Sequence, residues 1–173
     1  MAWGVSFAVP SFVWGSGSTL GADSTVSPDL VKMARDGVPW FLAVLWLTGF
    51  LKLFGGGIGY LLTKPRSTRL GRIAVFCAGG ASTLLTGHGL LFVVRGVLAE
   101  TGVSPVRADL AGLVRWYLYL WGPYFMLGGI AFGLAALWYL RRAPDRAVIR
   151  RYAQVGTAGG LLVAVVSATS GIG

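Results

Sequence analysis

Uncharged segments make up most of this sequence, and short polar stretches separate them. No Asp, Glu, Lys or Arg occurs in residues 1–22, 37–51, 53–63, 73–94, 116–140 and 152–173. A helix needs about 20 mostly apolar residues to cross a bilayer. The last three segments have that length, and 37–63 has it if Lys52 is accepted within the span. The first segment is weaker, because GSGSTLGA is a poor continuation of a helix.

This pattern predicts an all-α integral membrane helix bundle of about five transmembrane helices, in one domain covering residues 1–173. The first span rests on the shortest apolar run. We place the spans at about 1–18, 39–63, 73–97, 114–140 and 152–172. The outer loop 19–38 contains VSPDLVKMAR, which can form a short amphipathic helix with Ser27 as N-cap and Pro28 at its first position.

Composition agrees with lipid surroundings. Hydrophobic residues make up 55% of the chain and charged residues 12%, whereas soluble domains carry about 25% charged residues. The longest connections have about 20 residues, too few for a separate soluble domain.

The net charge of +9 is distributed unevenly between the loops. Two loops on one side of the predicted bundle hold 9 of the 15 basic residues: Lys64, Arg66, Arg69 and Arg72 in one, and Arg141, Arg142, Arg146, Arg150 and Arg151 in the other. Five of the six acids lie in the other two loops, at Asp23, Asp29, Asp36, Glu100 and Asp109. Because positive loops stay in the cytoplasm, we predict a multi-pass plasma-membrane protein with a cytoplasmic N-terminus.

The same basic loops bear on the partners of the protein. Anionic headgroups account for their charge, so we expect membrane lipids as partners and no nucleic acid. The sequence leaves open whether the protein forms a homo-oligomer or joins a membrane complex.

Cys77 is the one cysteine, which excludes an intrachain disulfide and a CxxC pair. One histidine cannot supply both axial ligands of a b-type haem, and no His/Cys/acid cluster suggests a metal. We therefore expect no cofactor and no metal.

Three ionisable residues lie inside or beside apolar segments and form the candidate ligand-binding site. His88, the one histidine, occurs in TGHGLLFVVRG, and Arg95 follows it by seven residues on the same helical face. Lys52 lies 12 residues before Lys64. On antiparallel helices the depths of Lys52 and His88 differ by about 6 Å, which one lysine side chain can bridge.

Each of these residues also has a purely structural interpretation. A lysine at mid-bilayer costs about 2.5–3.5 kcal/mol, and Lys52 avoids that cost if the membrane ends near Gly57 and its side chain snorkels. His88 can bond a backbone carbonyl or a hydroxyl on a neighbouring helix. Arg95 can extend to the outer interface.

Small residues predict where the helices approach each other closely. The fourth span has a stripe that includes Gly129 and Gly133, and the fifth has one that includes Gly156 and Gly160. Because such stripes let backbones approach, we predict that these two spans pack together through those glycines. In the third span, Gly79, Ser82, Thr83 and Thr86 form a similar face opposite His88. Pro123 of the fourth span removes a backbone donor and frees the carbonyl of Tyr119.

Two segments carry a family resemblance. In WGPYFMLGGIAFGLAALWYLRR, a Trp-x-Pro, an aromatic pair and Leu-Gly-Gly precede an apolar helix and paired arginines. Together with SFVWGSGSTLGAD, it resembles a family of uncharacterised small multi-span membrane proteins of actinobacterial type. The likeness covers roughly residues 1–142. This sequence has Ser11 where the resemblance predicts a histidine, and it adds a fifth span. The resemblance implies a multi-span membrane fold and brings no established activity.

The distribution of acids limits the function classes. No predicted span contains Asp or Glu, which disfavours proton-coupled transport and paired-carboxylate hydrolysis. A serine nucleophile would need a base, and His88 is the one base that the sequence suggests; no GxSxG motif accompanies it. We assign no catalytic residue and expect a non-catalytic accessory or lipid-like-ligand-binding protein. The alternatives are a small membrane-embedded enzyme acting on a lipid or isoprenoid, and a transporter or channel subunit.

The predicted orientation can be tested by cysteine labelling in intact cells. A cysteine at Ser67, in a basic loop, is expected to be protected from an impermeant reagent added outside, and one at Ser104 to react with it. Reaction at position 67 together with protection at 104 would reverse the topology.

Overall fold

The structure, a computed structural model, describes residues 1–64 and 69–170, and within these ranges it is helical with no strand. Arg66, the proposed labelling position Ser67 and the last residues of the predicted fifth span, 171–172, lie outside the described residues. The predicted all-α helix bundle is confirmed. Its helices are α1 Ala2–Gly15, α2 Pro28–Arg35, α3 Pro39–Leu61, α4 Arg69–Glu100, α5 Ala111–Trp116, α6 Gly122–Arg142 and α7 Arg146–Ser170.

Four helical segments in the described part of the chain are long and apolar enough to cross a membrane: Pro39–Leu61, Arg69–Glu100, Ala108–Arg142 and Arg146–Thr169. They correspond to the second to fifth predicted spans. The first predicted span is the shorter helix α1, whose 14 residues extend about 21 Å at 1.5 Å per residue. The helix ends there because Gly17 and Gly21 adopt positive φ values of 92° and 71°, which turn the chain.

Helix α1 packs antiparallel along α3. At one end a Cβ on Gly4 would lie 2.8 Å from the Cα of Gly56, so the two backbones approach through glycines. At the other end the indole Nε1 of Trp46 donates to the carbonyl of Gly15 at 3.0 Å. Helix α1 therefore covers α3 from its basic end to about two turns short of Pro39.

The loop of residues 19–38 closes over the remaining part of α3. Helix α2 buries Val31 and Ala34 in a small core that also contains Trp14, Phe41 and Leu45. Ser27 is the N-cap of α2 and Pro28 is at its start, but the Ser27 side chain makes no capping hydrogen bond. Burial of one apolar face thus holds this short helix in place.

Helix α4 is the central element, and its small-residue face packs against two helices. A Cβ on Gly79 would lie 2.7 Å from the carbonyl oxygen of Ala153 on α7. The Thr83 hydroxyl donates to the carbonyl of Thr157 on α7 at 3.0 Å. On the adjacent side, a Cβ on Gly133 of α6 would lie 2.7 Å from the Ser82 hydroxyl oxygen.

The predicted pairing of the fourth and fifth spans through their glycines is wrong. A Cβ on Gly129 would collide with Thr86 of α4, as one on Gly133 would with Ser82. On α7, a Cβ on Gly156 would collide with Phe76 of α4, and one on Gly160 with Gly80 and Thr83. Both seams therefore face α4. The physical reason is that α4 has small residues on two adjacent sides, so α6 and α7 can each bring their backbone close to it.

A pair of neighbouring glycines on α7 tests this arrangement. Gly156→Ala is expected to destabilise the protein by about 1–3 kcal/mol, because the new Cβ overlaps the backbone of Phe76. Gly159→Ala is the control, since nothing lies within 4 Å of where its Cβ would be. Thermal unfolding in detergent measures both. Equal melting temperatures for the two variants would contradict the packing of α7 on α4.

Candidate functional site

Lys52 lies in the contact between α3 and α1. It belongs to the face of α3 that buries Phe41, Leu45, Gly49 and Gly56. Its Nζ donates to the hydroxyl of Ser11 on α1 at 2.8 Å and lies 4.0 Å from the centroid of the Phe7 ring. Of the two interpretations of Lys52, the structure therefore shows the side chain reaching across to α1 rather than along α3 towards the basic end.

The position of Lys52 along α3 is close to the middle. It is 13 residues after Pro39 and 9 before Leu61, or about 20 and 14 Å along the helix. Its two polar contacts are a neutral hydroxyl and the face of a ring. Neither ion pair found among residues 1–64 and 69–170 involves Lys52; these join Arg107 to Asp109 and Arg115 to Glu100. The ammonium thus has no carboxylate partner in the described part of the chain.

Sequence reasoning missed Ser11, which is only 2% exposed. The spacing of small residues in the sequence does indicate that Ser11 lies in a helix contact. Gly4, Ala8, Ser11 and Gly15 are all buried and recur at helical spacing, which marks the face of α1 that contacts α3. The family resemblance points to Ser11 only as a serine at a position where a histidine is expected. Its hydroxyl is the polar group on this face opposite Lys52.

His88 lies against aromatic rings rather than against Lys52. Its ring centroid is 4.4 Å from that of Phe92 and 5.6 Å from that of Phe125. Among the residues that the structure describes, the imidazole has no hydrogen-bond partner, so neither the predicted carbonyl nor the predicted hydroxyl is found. Phe125 packs edge to face on Phe7 at 5.1 Å, and Phe7 contacts Lys52. The two polar residues are thus linked through an aromatic pair.

Arg95 contacts the C-terminal end of α7. Its Nη2 donates to the carbonyl of Ala168 at 3.2 Å, within the last turn of that helix. A guanidinium there satisfies a terminal carbonyl and complements the negative end of the helix dipole. Lys52, His88 and Arg95 therefore do not converge on one pocket. Each contacts a different part of the bundle.

An aromatic cluster connects α1 to α4 and α6. The ring of Trp3 stacks on that of Tyr124 at 5.4 Å, and its Nε1 donates to the Tyr124 carbonyl at 3.2 Å. The hydroxyls of Ser6 and Tyr124 are 2.6 Å apart. The rings in contact within this cluster are those of Trp3, Phe7, His88, Phe92, Tyr117, Trp121, Tyr124, Phe125 and Phe132. This cluster holds the face of α1 that carries Phe7 beside Lys52.

A widened helical turn orients part of the cluster. Residues Tyr117–Trp121 form a π-helical turn between α5 and α6, in which the Gly122 N–H bonds the carbonyl of Tyr117. Pro123 provides no N–H for the carbonyl of Tyr119, so an ordinary α turn cannot form there. The wider turn places Tyr117 parallel to Phe92, at 4.4 Å and 10°. Such turns are frequent at functional sites.

The spacing of Lys52 and Ser11 bears on the chemistry that this pair could support. A lysine amine 2.8 Å from a serine hydroxyl has the spacing of a base and its nucleophile. The sequence did not suggest this second pairing of a serine with a possible base. However, Ser11 is almost fully buried in the middle of a helix, where a substrate cannot reach its oxygen. Within residues 1–64 and 69–170, no group of three or more His, Cys, Asp or Glu could hold a metal.

Comparison with known proteins places this site in a family. The model of the family described as "Protein of unknown function (DUF3995)" matches residues 4–132, a segment that includes Ser11, Lys52 and His88. No curated protein and no solved structure matches the chain. The match confirms the expected membership of an uncharacterised family. Because the model covers about three quarters of the sequence, the chain belongs to the DUF3995 family of proteins of unknown function.

Proposed function

We propose that this protein is a multi-pass protein of the plasma membrane, with a cytoplasmic N-terminus, that binds a lipid-like ligand through Lys52. The observation that supports the proposal is an ammonium group near the middle of a membrane-spanning helix whose described partners are a hydroxyl and a ring. Ionisable residues at such depth are costly and as a rule have a function. The orientation rests on the basic loops.

The surroundings of Lys52 indicate the chemistry of the ligand. One of the three N–H donors of the ammonium is used by Ser11, which leaves donors for an anionic or strongly accepting group. The exposed side chains next to Lys52 on α3 are Leu51 and Leu53, and Val9 of α1 is also exposed. A ligand at this depth therefore has a small polar head and an apolar body. A fatty-acyl or isoprenoid compound has that form.

His88 and Arg95 have different places in this proposal. His88 lies behind Phe125, so it supports the aromatic wall next to Phe7 and does not contact the proposed head group. Arg95 is excluded from the ligand site because its guanidinium bonds the end of α7. The proposed site is therefore Lys52 with Ser11 and Phe7.

An accessory subunit is the second candidate. In a membrane complex or a homo-oligomer, a carboxylate on a neighbouring chain could pair with Lys52 in place of a lipid head group. Lys52 is half-buried in the α1–α3 contact, and the part of its side chain that remains accessible is compatible with this. The enzyme and transporter alternatives have less support, because Ser11 is inaccessible and the four spanning segments contain no acid close to Lys52.

The ligand proposal is tested by removing the charge at position 52. The full chain is purified in mild detergent, incubated with a total lipid extract of its host membrane and analysed by native mass spectrometry. Loss of a charge-assisted hydrogen bond is worth about 1.5–3 kcal/mol. We therefore expect Lys52→Met to reduce the bound ligand at least tenfold. Lys32→Met, which removes an exposed lysine of α2, is the matched control.

The outcome of this experiment separates the two candidates. An identical bound species in Lys52→Met and in the unchanged protein would contradict ligand binding at Lys52. Loss of a second protein chain, rather than of a small molecule, would favour the accessory subunit.

The pairing of Lys52 with Ser11 also predicts a stability pattern. Ser11→Ala is expected to lower the free energy of unfolding by about 1–3 kcal/mol, because it leaves the Lys52 ammonium without its oxygen partner. Lys52→Met is expected to preserve or raise stability, since it removes a charge that costs about 2.5–3.5 kcal/mol in lipid. The double variant is expected to match Lys52→Met. If Ser11→Ala were as stable as the unchanged protein in detergent, the hydrogen bond would have no energetic role.

A further inference from the structure

A groove opens at the basic end of the bundle, between α3 and α6. Its volume is about 360 Å³, within the range of small-molecule pockets. Leu62, which is 1% exposed, forms its floor, and the exposed Leu134 and Trp138 form a wall. The residues that line it are Gly59, Leu62, Thr63, Leu134, Ala135 and Trp138.

The groove results from small residues opposite each other on the two helices. One turn further along α3, a Cβ on Gly55 would lie 3.7 Å from the ring of Phe132, so that side chain fills the space between the helices. At Gly59, no side chain from the described part of the chain fills the corresponding space. Among the described residues, the one atom within 4 Å of where its Cβ would be is the Met1 nitrogen at 3.9 Å. With Ala135 on the facing helix, the space beside Gly59 stays open.

One cation stands at the rim of this groove, and a second lies at the same end of α3. The guanidinium of Arg142 lies 4.0 Å from the ring centroid of Trp138, which lines the groove. Lys64 directly follows the lining residue Thr63, and its Nζ lies 5.7 Å from the ring centroid of Tyr60. The acid of the same end, Asp145, accepts a hydrogen bond from the Val148 N–H at the start of α7. The rim is therefore positive and the interior apolar.

We infer that this groove binds one acyl chain of an anionic phospholipid from the adjacent leaflet, with the phosphate at Arg142 and Lys64. The apolar lining excludes a free inorganic anion as the occupant, because such an anion would lose its hydration without gaining partners. The positive rim favours a net negative headgroup over a zwitterionic one. Apolar length and negative charge together are the properties of an anionic phospholipid.

This site is independent of the one proposed at Lys52. Gly59 lies seven residues from Lys52 along α3, or about 10 Å nearer the basic end. Gly59 is about two helical turns beyond Lys52, on a similar side of α3, so the two sites are separated along the helix axis. Lys52 bonds Ser11 of α1, and the groove is closed by residues of α6. Lys52→Met is therefore expected to leave phospholipid binding unchanged, so that failure of one proposal does not imply failure of the other.

The test uses the full chain, stripped of lipid in detergent and titrated with phosphatidylglycerol or phosphatidylcholine in native mass spectrometry. We expect one phosphatidylglycerol to bind more tightly than phosphatidylcholine. Gly59→Leu is expected to abolish this binding by filling the groove. Gly57→Leu is the matched control, since nothing lies within 4 Å of where its Cβ would be. Arg142→Gln is expected to weaken binding about fivefold, and Arg141→Gln, its neighbour, to have a smaller effect.

Three results would overturn the inference. The first is equal affinity for the two lipids. The second is equal binding by Gly59→Leu and Gly57→Leu. The third is a dimer that Gly59→Leu dissociates, which would make the groove an interface between two copies of the chain. If Gly59→Leu does not fold, the comparison of Arg142→Gln with Arg141→Gln decides, because both side chains are exposed.

Discussion

The close approach of helix backbones to α4 is the constraint on which the rest of the bundle depends. In lipid, burial of apolar side chains gives little drive for helices to associate, so contact between backbones and hydrogen bonds across helices must hold them together. Gly79 and Gly156 remove the side chains that would keep α4 and α7 apart, and Gly129 does the same for α6. The hydroxyl of Thr83 adds a bond to the backbone of α7. Apart from Phe76, whose backbone meets Gly156, the positions on α4 that make these contacts are small or hydroxylated.

The attachment of α1 uses a different kind of contact, and this is where the candidate site lies. Glycines bring one end of α1 onto α3, but its other face is held by aromatic stacking on α6 and by the hydrogen bonds of Trp3 and Ser6. Lys52 points into this junction. Within the described residues, its cation contacts a hydroxyl and a ring, so the proposed head group would reach it without any change in the packing of α4.

The glycines of α3 show how one residue type serves several purposes within a short segment. Gly56 allows the crossing with α1, and Gly55 receives the ring of Phe132. Gly57 faces open space, and Gly59 leaves the groove between α3 and α6. The site proposed at Lys52 precedes this glycine segment along α3, and the groove begins at the last glycine of the segment, Gly59. A run of glycines in a spanning helix therefore indicates close neighbours or open space, and the residue type alone does not distinguish them.

The sequence by itself determined the long spanning helices, the short helix α2 and the unusual positions of Lys52 and His88, because hydropathy, spacing and charge are local properties. It did not determine the partners. A stripe of glycines shows that a helix can be approached closely but not by which helix. The sequence therefore predicts contact between the helices of Gly129 and Gly156, whereas both residues contact α4. Depth along two helices suggested that Lys52 and His88 meet, but rotation about the helix axes sends Lys52 to Ser11, 41 residues away in sequence. The partner of Arg95 also depended on tertiary contacts, since the end of α7 that it bonds lies 73 residues away in the sequence.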